Sequence, residues 1–128
     1  MNYEYRATVV RVVDGDTVHL ELTKDFQLPI DFGFYVKDII KVTKTAQVDF
    51  RLLGINAPEL RNPTLAEGNA SKTQLEHLLS LGTIRVVTSR IDKYGRWLAD
   101  IFVTGSDGIE FNVNQKMIET GFAVAYAA

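Results

Sequence analysis

The turn dipeptide Asp14-Gly15 lies between two runs of strand-forming residues, and it constrains the start of the fold more than any other feature. Residues 5–13 (YRATVVRVV) are rich in β-branched side chains, and residues 16–23 (DTVHLELT) alternate as a returning strand does. Asp-Gly between two such runs is a strong hairpin signal, because both residues tolerate a tight turn. The sequence therefore predicts an antiparallel strand pair with Asp14 and Asp16 at its turn.

Two helices are predicted further along the chain. Thr64 and Glu67 have the spacing of a capping box, Ser71 offers a second start, and Gly82 is a natural stop. Asn112, with a glutamine three residues later, predicts the cap of the second helix, which Gly121 ends. The expected buried faces are Leu75, Leu78 and Leu79 in the first helix and Val113, Met117 and Ile118 in the second.

Three further strands are predicted at residues 47–54, 83–89 and 96–103. The order of three strands, a helix, two strands and a helix fits a mainly β fold, a bent five-stranded barrel with two packed helices. That is the OB-fold arrangement, which commonly binds single-stranded nucleic acid. An α+β sandwich fits the same order, and periodicity does not choose between them. The length of 128 residues predicts one domain over residues 1–128.

Residues 24–46 form an insert between the second and third strands, with more aromatic side chains than a plain loop needs. One interpretation is a long hairpin extension that covers the core. The other is a lid, or a shelf on which bases stack beside a cleft. The aromatic residues in question are Phe26, Phe32, Phe34 and Tyr35.

Composition excludes several kinds of site. The chain has no cysteine, so disulfides, thiolate nucleophiles and thiolate metal sites are excluded. His19 and His77 are too scattered for a zinc site. A net charge of -2 argues against tight coating of long duplexes. No apolar run is long enough for a membrane span, so no membrane partner is expected. No signal peptide is seen, which favours a cytoplasmic protein over a secreted one. A monomer is also expected.

Oxygen-bearing residues at the strand ends predict a site for a hard cation. Asp16 begins the second strand and Asn56 ends the third, so they meet if those strands are neighbours. The carbonyl of Ala57, held extended by Pro58, would supply a third oxygen, and Asp14 would add negative charge just outside. Ca²⁺ binds such carboxylate, amide and backbone oxygens, although another divalent cation is possible.

Two arginines and a loop carboxylate add the chemistry of phosphodiester cleavage. Guanidinium groups on Arg51 and Arg96 would bind one phosphate through paired hydrogen bonds. Glu59, on a stiff loop, would act as general base toward a metal-bound water. The residues that would hold the nucleotide, by charge or by stacking, are Lys93, Tyr94 and Tyr126.

The chain resembles the staphylococcal nuclease (thermonuclease) family in four segments. They are VVDGDTV at 12–18, FRLLGINAPE at 50–59, DKYGRWLAD at 92–100 and NVNQKMIETGFAVAY at 112–126. The resemblance implies an OB-fold, Ca²⁺-dependent nuclease with broad action on DNA and RNA. It implies metal ligation by Asp16, Asn56 and the Ala57 carbonyl, base catalysis by Glu59, phosphate binding by Arg51 and Arg96, and a nucleotide pocket of Lys93, Tyr94 and Tyr126.

The chain departs from the family pattern at several positions. The second metal carboxylate of the family is commonly aspartate, and Asn56 brings no charge, so weaker metal affinity is expected. Ala57 stands where threonine is often found, although its carbonyl remains. The sequence ends at Ala128, where the founding nuclease continues into a third helix. The DFGF segment at 31–34 is similar to phage and prophage relatives, which implies an intracellular protein.

Two functions remain open at this point. The first is a metal-dependent endonuclease that hydrolyses DNA or RNA, with single strands preferred. The second is a catalytically inactive module that binds nucleic acid or protein, as related domains in Tudor-staphylococcal nuclease proteins are thought to do. A purely structural phage component is a third idea, for which the sequence offers no positive sign.

Overall fold

The computed structural model of the chain describes residues 3–35 and 37–126. Long strands dominate, and the two helices follow the short strands β4 and β7. In chain order the elements are β1 (Tyr3–Asp14), β2 (Thr17–Asp31), β3 (Lys37–Leu52), β4 (Ile55–Asn56), α1 (Leu65–Leu79), β5 (Gly82–Ile91), β6 (Trp97–Gly105), β7 (Glu110–Asn112), α2 (Val113–Glu119) and β8 (Val124–Ala125).

The five long strands form a closed ring. β1 pairs antiparallel with β2 and β5, β2 pairs with β3, and β5 pairs with β6. The ring closes where β3 and β6 run parallel, with Phe50 opposite Trp97 and Leu52 opposite Ala99. This arrangement confirms the mainly β, OB-like barrel and excludes the α+β sandwich.

The barrel interior follows from the alternation along its strands. Val18 and Leu20 on β2 are buried together with Phe50 and Leu52 on β3, because residues two apart share one face. α1 adds the three predicted leucines, Leu75, Leu78 and Leu79, and α2 adds Val113 and Met117. Ile118 is only half-buried against this core. The predicted cap of α2 is confirmed, since the Asn112 side chain accepts from the Gln115 amide at 3.1 Å.

Three details of α1 differ from the sequence prediction. The capping box is wrong, because the Thr64 hydroxyl donates to the carbonyls of Glu59 at 2.9 Å and Arg61 at 3.1 Å instead. Ser71 does not start a helix; it lies within α1 and donates to the carbonyl of Phe122. Gly82 does not end the helix either, since it begins β5.

Residues 24–31 and 37–46 continue β2 and β3 beyond the barrel as a two-stranded ribbon, which we call the arm. The predicted hairpin extension is therefore confirmed. Its predicted role as a cover for the core is wrong, because side chains such as Phe26 and Leu28 are exposed. No helix in residues 3–35 and 37–126 has the length and hydropathy needed to cross a membrane.

Candidate functional site

A pocket of about 410 Å³ opens where β3 meets the turn between β5 and β6. Arg51 lines it from β3 and Arg96 from the residue that precedes β6. Arg90 on β5 and Asn56, the last residue of β4, line it as well. The pairing of β3 with β6 brings the two arginines together, since Arg51 lies opposite Leu98, two residues after Arg96. Six of the predicted site residues line the pocket: Arg51, Asn56, Lys93, Tyr94, Arg96 and Tyr126.

The guanidinium group of Arg51 is held firmly by its neighbours. It donates to the carbonyl of Ile55 at 2.9 Å and to the side-chain oxygen of Asn56 at 3.1 Å. The same nitrogen that contacts Asn56 lies 3.6 Å from a carboxylate oxygen of Asp16. With its side chain 12% exposed, Arg51 is a fixed charge that links the two oxygen-bearing residues.

Asp16 is buried beside Arg51 and is fixed by the chain segment that follows β3. One carboxylate oxygen accepts a hydrogen bond from the Ala57 amide at 2.9 Å, and the other accepts from the Thr17 hydroxyl at 3.2 Å. The structure therefore brings Asp16 and the segment 56–57 together, as the sequence predicts for neighbouring strands.

Asp14 lies half-buried behind Asp16. A carboxylate oxygen of Asp14 accepts a hydrogen bond from the Asp16 amide at 3.1 Å. Burial raises the pKa of Asp14 to about 6, and the side-chain hydrogen bond to Asp16 and the charge of Asp16 add to the shift. Two acidic groups therefore repel each other at this turn, and a cation nearby would relieve that repulsion.

Carboxylate and amide oxygens are the kinds of ligand that a hard divalent cation prefers. The Asp16 carboxylate and the Asn56 amide oxygen are contacted by one nitrogen of Arg51, and Asp14 adds charge behind them. Residues 3–35 and 37–126 contain no cluster of three or more histidine, aspartate or glutamate side chains placed to hold a metal. Amide and backbone oxygens would therefore have to complete the ligand set, as Ca²⁺ allows.

Asp92 orients Arg96, and the sequence analysis did not identify it. Its carboxylate accepts from the amides of Tyr94 and Arg96, each at 2.9 Å, and from the Arg96 guanidinium at 3.1 Å. Burial opposes ionisation of Asp92, but these amides and the Arg96 charge outweigh it and lower the pKa. The spacing Asp-x-x-Gly is the local signal of such a turn. The guanidinium of Arg96 and the ammonium of Lys93 both lie over the Tyr94 ring.

Glu59 is not brought into the pocket. Its side chain is 64% exposed and forms an ion pair with the guanidinium of Arg61. The loop that carries it is anchored through its backbone, because the Thr64 hydroxyl binds the Glu59 carbonyl. The predicted general base is thus the one predicted catalytic side chain that this structure directs away from the two arginines.

A buried amide on α2 holds the β3 end in place, and the sequence analysis missed it. The side-chain nitrogen of Asn114 donates to the carbonyls of Leu53 at 2.8 Å and Ala99 at 2.9 Å. Its oxygen accepts from the Ile101 amide at 3.2 Å. The sequence did contain a signal of this role, because Asn114 lies three residues before Met117 and therefore on the buried side of the short helix α2.

Tyr126 reaches the pocket through a strand pair that was also not predicted. Val124 pairs with Asn56 in the β4–β8 ladder, and the Tyr126 amide donates to the Gly54 carbonyl at 2.8 Å. These contacts place the Tyr126 ring 5.5 Å from the Arg51 guanidinium carbon. The aromatic face and the fixed cation therefore form one wall of the pocket.

Comparison with known proteins points to one family. The family model described as "Staphylococcal nuclease homologue" matches residues 49–128. An uncharacterized protein from Methanocaldococcus jannaschii is 32% identical, with 95% of this chain and 59% of that protein covered. Endonuclease YhcR from Bacillus subtilis is 28% identical, with 96% of this chain and 9% of that protein covered.

A fungal protein gives a shorter match. A probable endonuclease LCL3 from Paracoccidioides lutzii is 33% identical over 98 residues, which covers 73% of this chain and 28% of the fungal protein. The chain thus spans less than two thirds of the length of these curated relatives. The family and two of the three names indicate a nuclease-type function.

Proposed function

The chain belongs to the family of staphylococcal nuclease homologues, and from that premise we propose that it is a metal-dependent endonuclease that hydrolyses DNA or RNA through an activated water. One observation carries the proposal. The guanidinium groups of Arg51 and Arg96 line a single pocket, and buried Asp16 lies next to Arg51.

The two arginines would bind the scissile phosphate. Each is oriented before substrate arrives, Arg51 by backbone carbonyls and Asn56, and Arg96 by Asp92. Donors that are already oriented stabilise charge that develops on phosphate oxygens without a further reorganisation cost. Guanidinium forks also match the geometry of two phosphate oxygens, which a lysine would not.

We propose Ca²⁺ as the cofactor, with another divalent cation as an alternative. The Asp16 carboxylate, the Asn56 amide oxygen and the Ala57 carbonyl would hold it, and Asp14 would add charge behind them. A bound divalent cation makes water more acidic and neutralises charge on the phosphate. Asn56 contributes no charge, so modest affinity is expected.

Glu59 would take the proton from the attacking water as general base. In the structure its carboxylate binds Arg61, and both side chains are exposed. The exchange of Arg61 for water is inexpensive, because exposed ion pairs contribute at most about 1 kcal/mol. The proposal therefore requires a rotamer change that turns the Glu59 carboxylate toward the pocket.

Lys93, Tyr94 and Tyr126 would hold the nucleotide. Lys93 offers a charge to a neighbouring phosphate, and the rings of Tyr94 and Tyr126 are exposed at the pocket. An exposed ring can stack an unpaired base with little sequence preference. Single strands are therefore the preferred substrate in this proposal, and one copy of the chain supplies every residue of the site.

The test is digestion of labelled single-stranded DNA and RNA with Ca²⁺, Mg²⁺, Mn²⁺ or chelator. Cleavage should require metal, and Glu59→Gln and Arg96→Ala should each slow it by about 10²–10³-fold. Glu67→Gln and Arg11→Ala are matched controls, because both residues are exposed and lie outside the pocket. Metal-independent cleavage, or equal rates for all four variants, would contradict the proposal.

A binding module without catalysis is the second candidate. Two observations favour it, namely the amide at Asn56 and the ion pair that holds Glu59 to Arg61. Calorimetry with Ca²⁺ and fluorescence anisotropy with a labelled oligonucleotide separate the candidates. Oligonucleotide binding without measurable Ca²⁺ binding or cleavage would establish the module.

A further inference from the structure

The arm has one face with three successive rows of mainly apolar residues and a second face of mixed character. Opposite residues of an antiparallel pair point to the same side, so the register assigns each row to a face. Three rows, Phe26 with Val42, Leu28 with Ile40, and Ile30 with Asp38, lie on one face. The other face carries polar rows such as Gln27 with Lys41 and one apolar row, Pro29 with Ile39. Within the three rows of the first face, every residue except Asp38 is apolar.

This apolar face is the outward continuation of the barrel interior. Leu20 opposite Val48 and Val18 opposite Phe50 belong to the same alternating row, and inside the barrel they pack in or against the core. Beyond the barrel the row loses its cover, and Leu28 is 52% exposed while Ile40 is 45% exposed. A two-stranded ribbon alone is marginally stable in water, so an apolar face of this length favours a partner.

Charges of opposite sign bound the face. Lys24 and Lys44 lie opposite each other at the barrel end, and Lys24 extends over the Phe26 ring at 5.2 Å. Asp38 lies on the same face at the tip end, opposite Ile30. Four rows therefore run from a positive end to a negative end over roughly 20 Å.

We propose that this face pairs with the same face of a second copy of the chain around a two-fold axis. In an antiparallel arrangement, the Lys24/Lys44 row of one copy meets Asp38 of the other, and the central apolar rows pack on each other. A two-fold interface must be self-complementary in this way. A second copy of this chain matches both charged ends of the face, whereas a uniformly basic or acidic partner would match only one. The proposed dimer differs from the monomer expected from the sequence.

The available area suits a moderate dimer. The exposed side chains of the apolar face and the tip aromatics Phe32 and Phe34 present roughly 600 Å² in each copy. A pair would then bury about 1,200 Å² in total, at the lower limit of stable interfaces. We therefore expect a dissociation constant on the order of 10 µM. The arm lies outside the pocket lining, so this inference does not rest on the proposed nuclease activity.

Sedimentation velocity of the whole chain between about 1 and 300 µM tests the pairing. The wild type should convert from monomer to dimer over this range, and L28N/I40T should weaken the dimer at least about tenfold. Q27N/K41T is the matched control, because it changes the adjacent row on the opposite face and should leave the dimer intact. Circular dichroism and thermal unfolding verify that each variant is folded.

Charge reversal distinguishes a second copy from any other occupant. D38K alone and K24D/K44D alone each place like charges at both ends of the pair, so neither should dimerise. An equal mixture restores both contacts and should dimerise as the wild type does. A wild type that stays monomeric at the highest concentration, or a mixture that stays monomeric, overturns the proposal. The proposal is also overturned if the wild type is monomeric and the L28N/I40T variant loses oligonucleotide binding, because nucleic acid would then occupy the face.

Discussion

The backbone amide of Ala57 donates a 2.9 Å hydrogen bond to the carboxylate of Asp16, across 41 residues of sequence. This contact uses only the main chain of residue 57. Ala57 stands where the family often has threonine, and this difference therefore leaves the hydrogen bond to Asp16 intact. The charge at position 56 is a different matter, because there the side chain itself would face the cation.

Asn56→Asp should tighten Ca²⁺ binding. A second carboxylate beside Asp16 adds charge to an otherwise neutral ligand, and Ca²⁺ affinity depends strongly on ligand charge. Calorimetry should show a gain of about tenfold. Asn69→Asp, an exposed position on α1, makes the same charge change away from the site and should have little effect. Equal affinities for wild type and Asn56→Asp would remove position 56 from the ligand set.

Asp14→Asn should stabilise the metal-free protein at neutral and alkaline pH. The folded pKa of Asp14 is about 6 against 3.8 for the free group, so the folded state favours the protonated form. The cost of ionisation is absent below pH 3.8 and complete above about pH 6. Asparagine keeps the bond to the Asp16 amide and removes this cost.

Urea denaturation in chelator measures this effect. The gain near pH 8 should be on the order of 1 kcal/mol after allowance for solvent screening at a half-exposed group. It should shrink as the pH falls toward about 4. Asp107→Asn is the matched control, because Asp107 also accepts a turn amide, that of Ile109, but lies outside the acidic pair. A gain that is independent of pH would refute the electrostatic explanation.

Asn114→Ala should destabilise the barrel strongly. The substitution leaves the Leu53 and Ala99 carbonyls and the Ile101 amide without their side-chain partner. Buried groups without partners cost about 1–3 kcal/mol each when water cannot replace the bond, so a total loss of about 2–4 kcal/mol is expected. Asn112→Ala, which removes only the cap of α2, should cost about 1 kcal/mol. Urea denaturation that ranks the two in the opposite order would contradict this assignment.

Gly82→Ala should be among the most damaging single substitutions. A Cβ atom at Gly82 would lie 1.8 Å from the Thr104 carbonyl oxygen, and both groups are backbone in paired strands. We expect more than about 4 kcal/mol of lost stability, or no folded protein. Gly95→Ala is the control, since the φ of 82° there costs only about 1–2 kcal/mol and a Cβ meets open space. Thermal unfolding of both variants would show a similar loss if the close approach at Gly82 were unimportant.

Features that depend on neighbouring residues could be predicted from the sequence. The Asp14-Gly15 turn and the cap at Asn112 require only a few consecutive residues, and both are present. Element order was compatible with the barrel and with an α+β sandwich, and only the family resemblance favoured the barrel. The meeting of Asp16 with the segment after β3 followed from adjacency of β2 and β3.

Features that depend on competition between alternative partners could not be predicted. Thr64 has the sequence of a cap, but loop carbonyls at Glu59 and Arg61 take its hydroxyl. Glu59 follows a proline as a catalytic acid would, yet a basic side chain two residues later binds it. The role of Asn114 appears only once β6 lies beside the end of β3, since its partners belong to both segments. Asp92 stabilises a local turn that its spacing permits, but spacing alone does not show that its carboxylate also binds the Arg96 guanidinium.

The parallel contact between β3 and β6 also determines when during folding the chain could become active. Arg51 is part of that contact and Arg96 immediately precedes it, while the whole of α1 and β5 lies between them in sequence. Joining such distant segments is entropically slow compared with forming a local hairpin. Any partly folded species with β6 detached would separate the two guanidinium groups, so the proposed phosphate site would be incomplete until the ring closes.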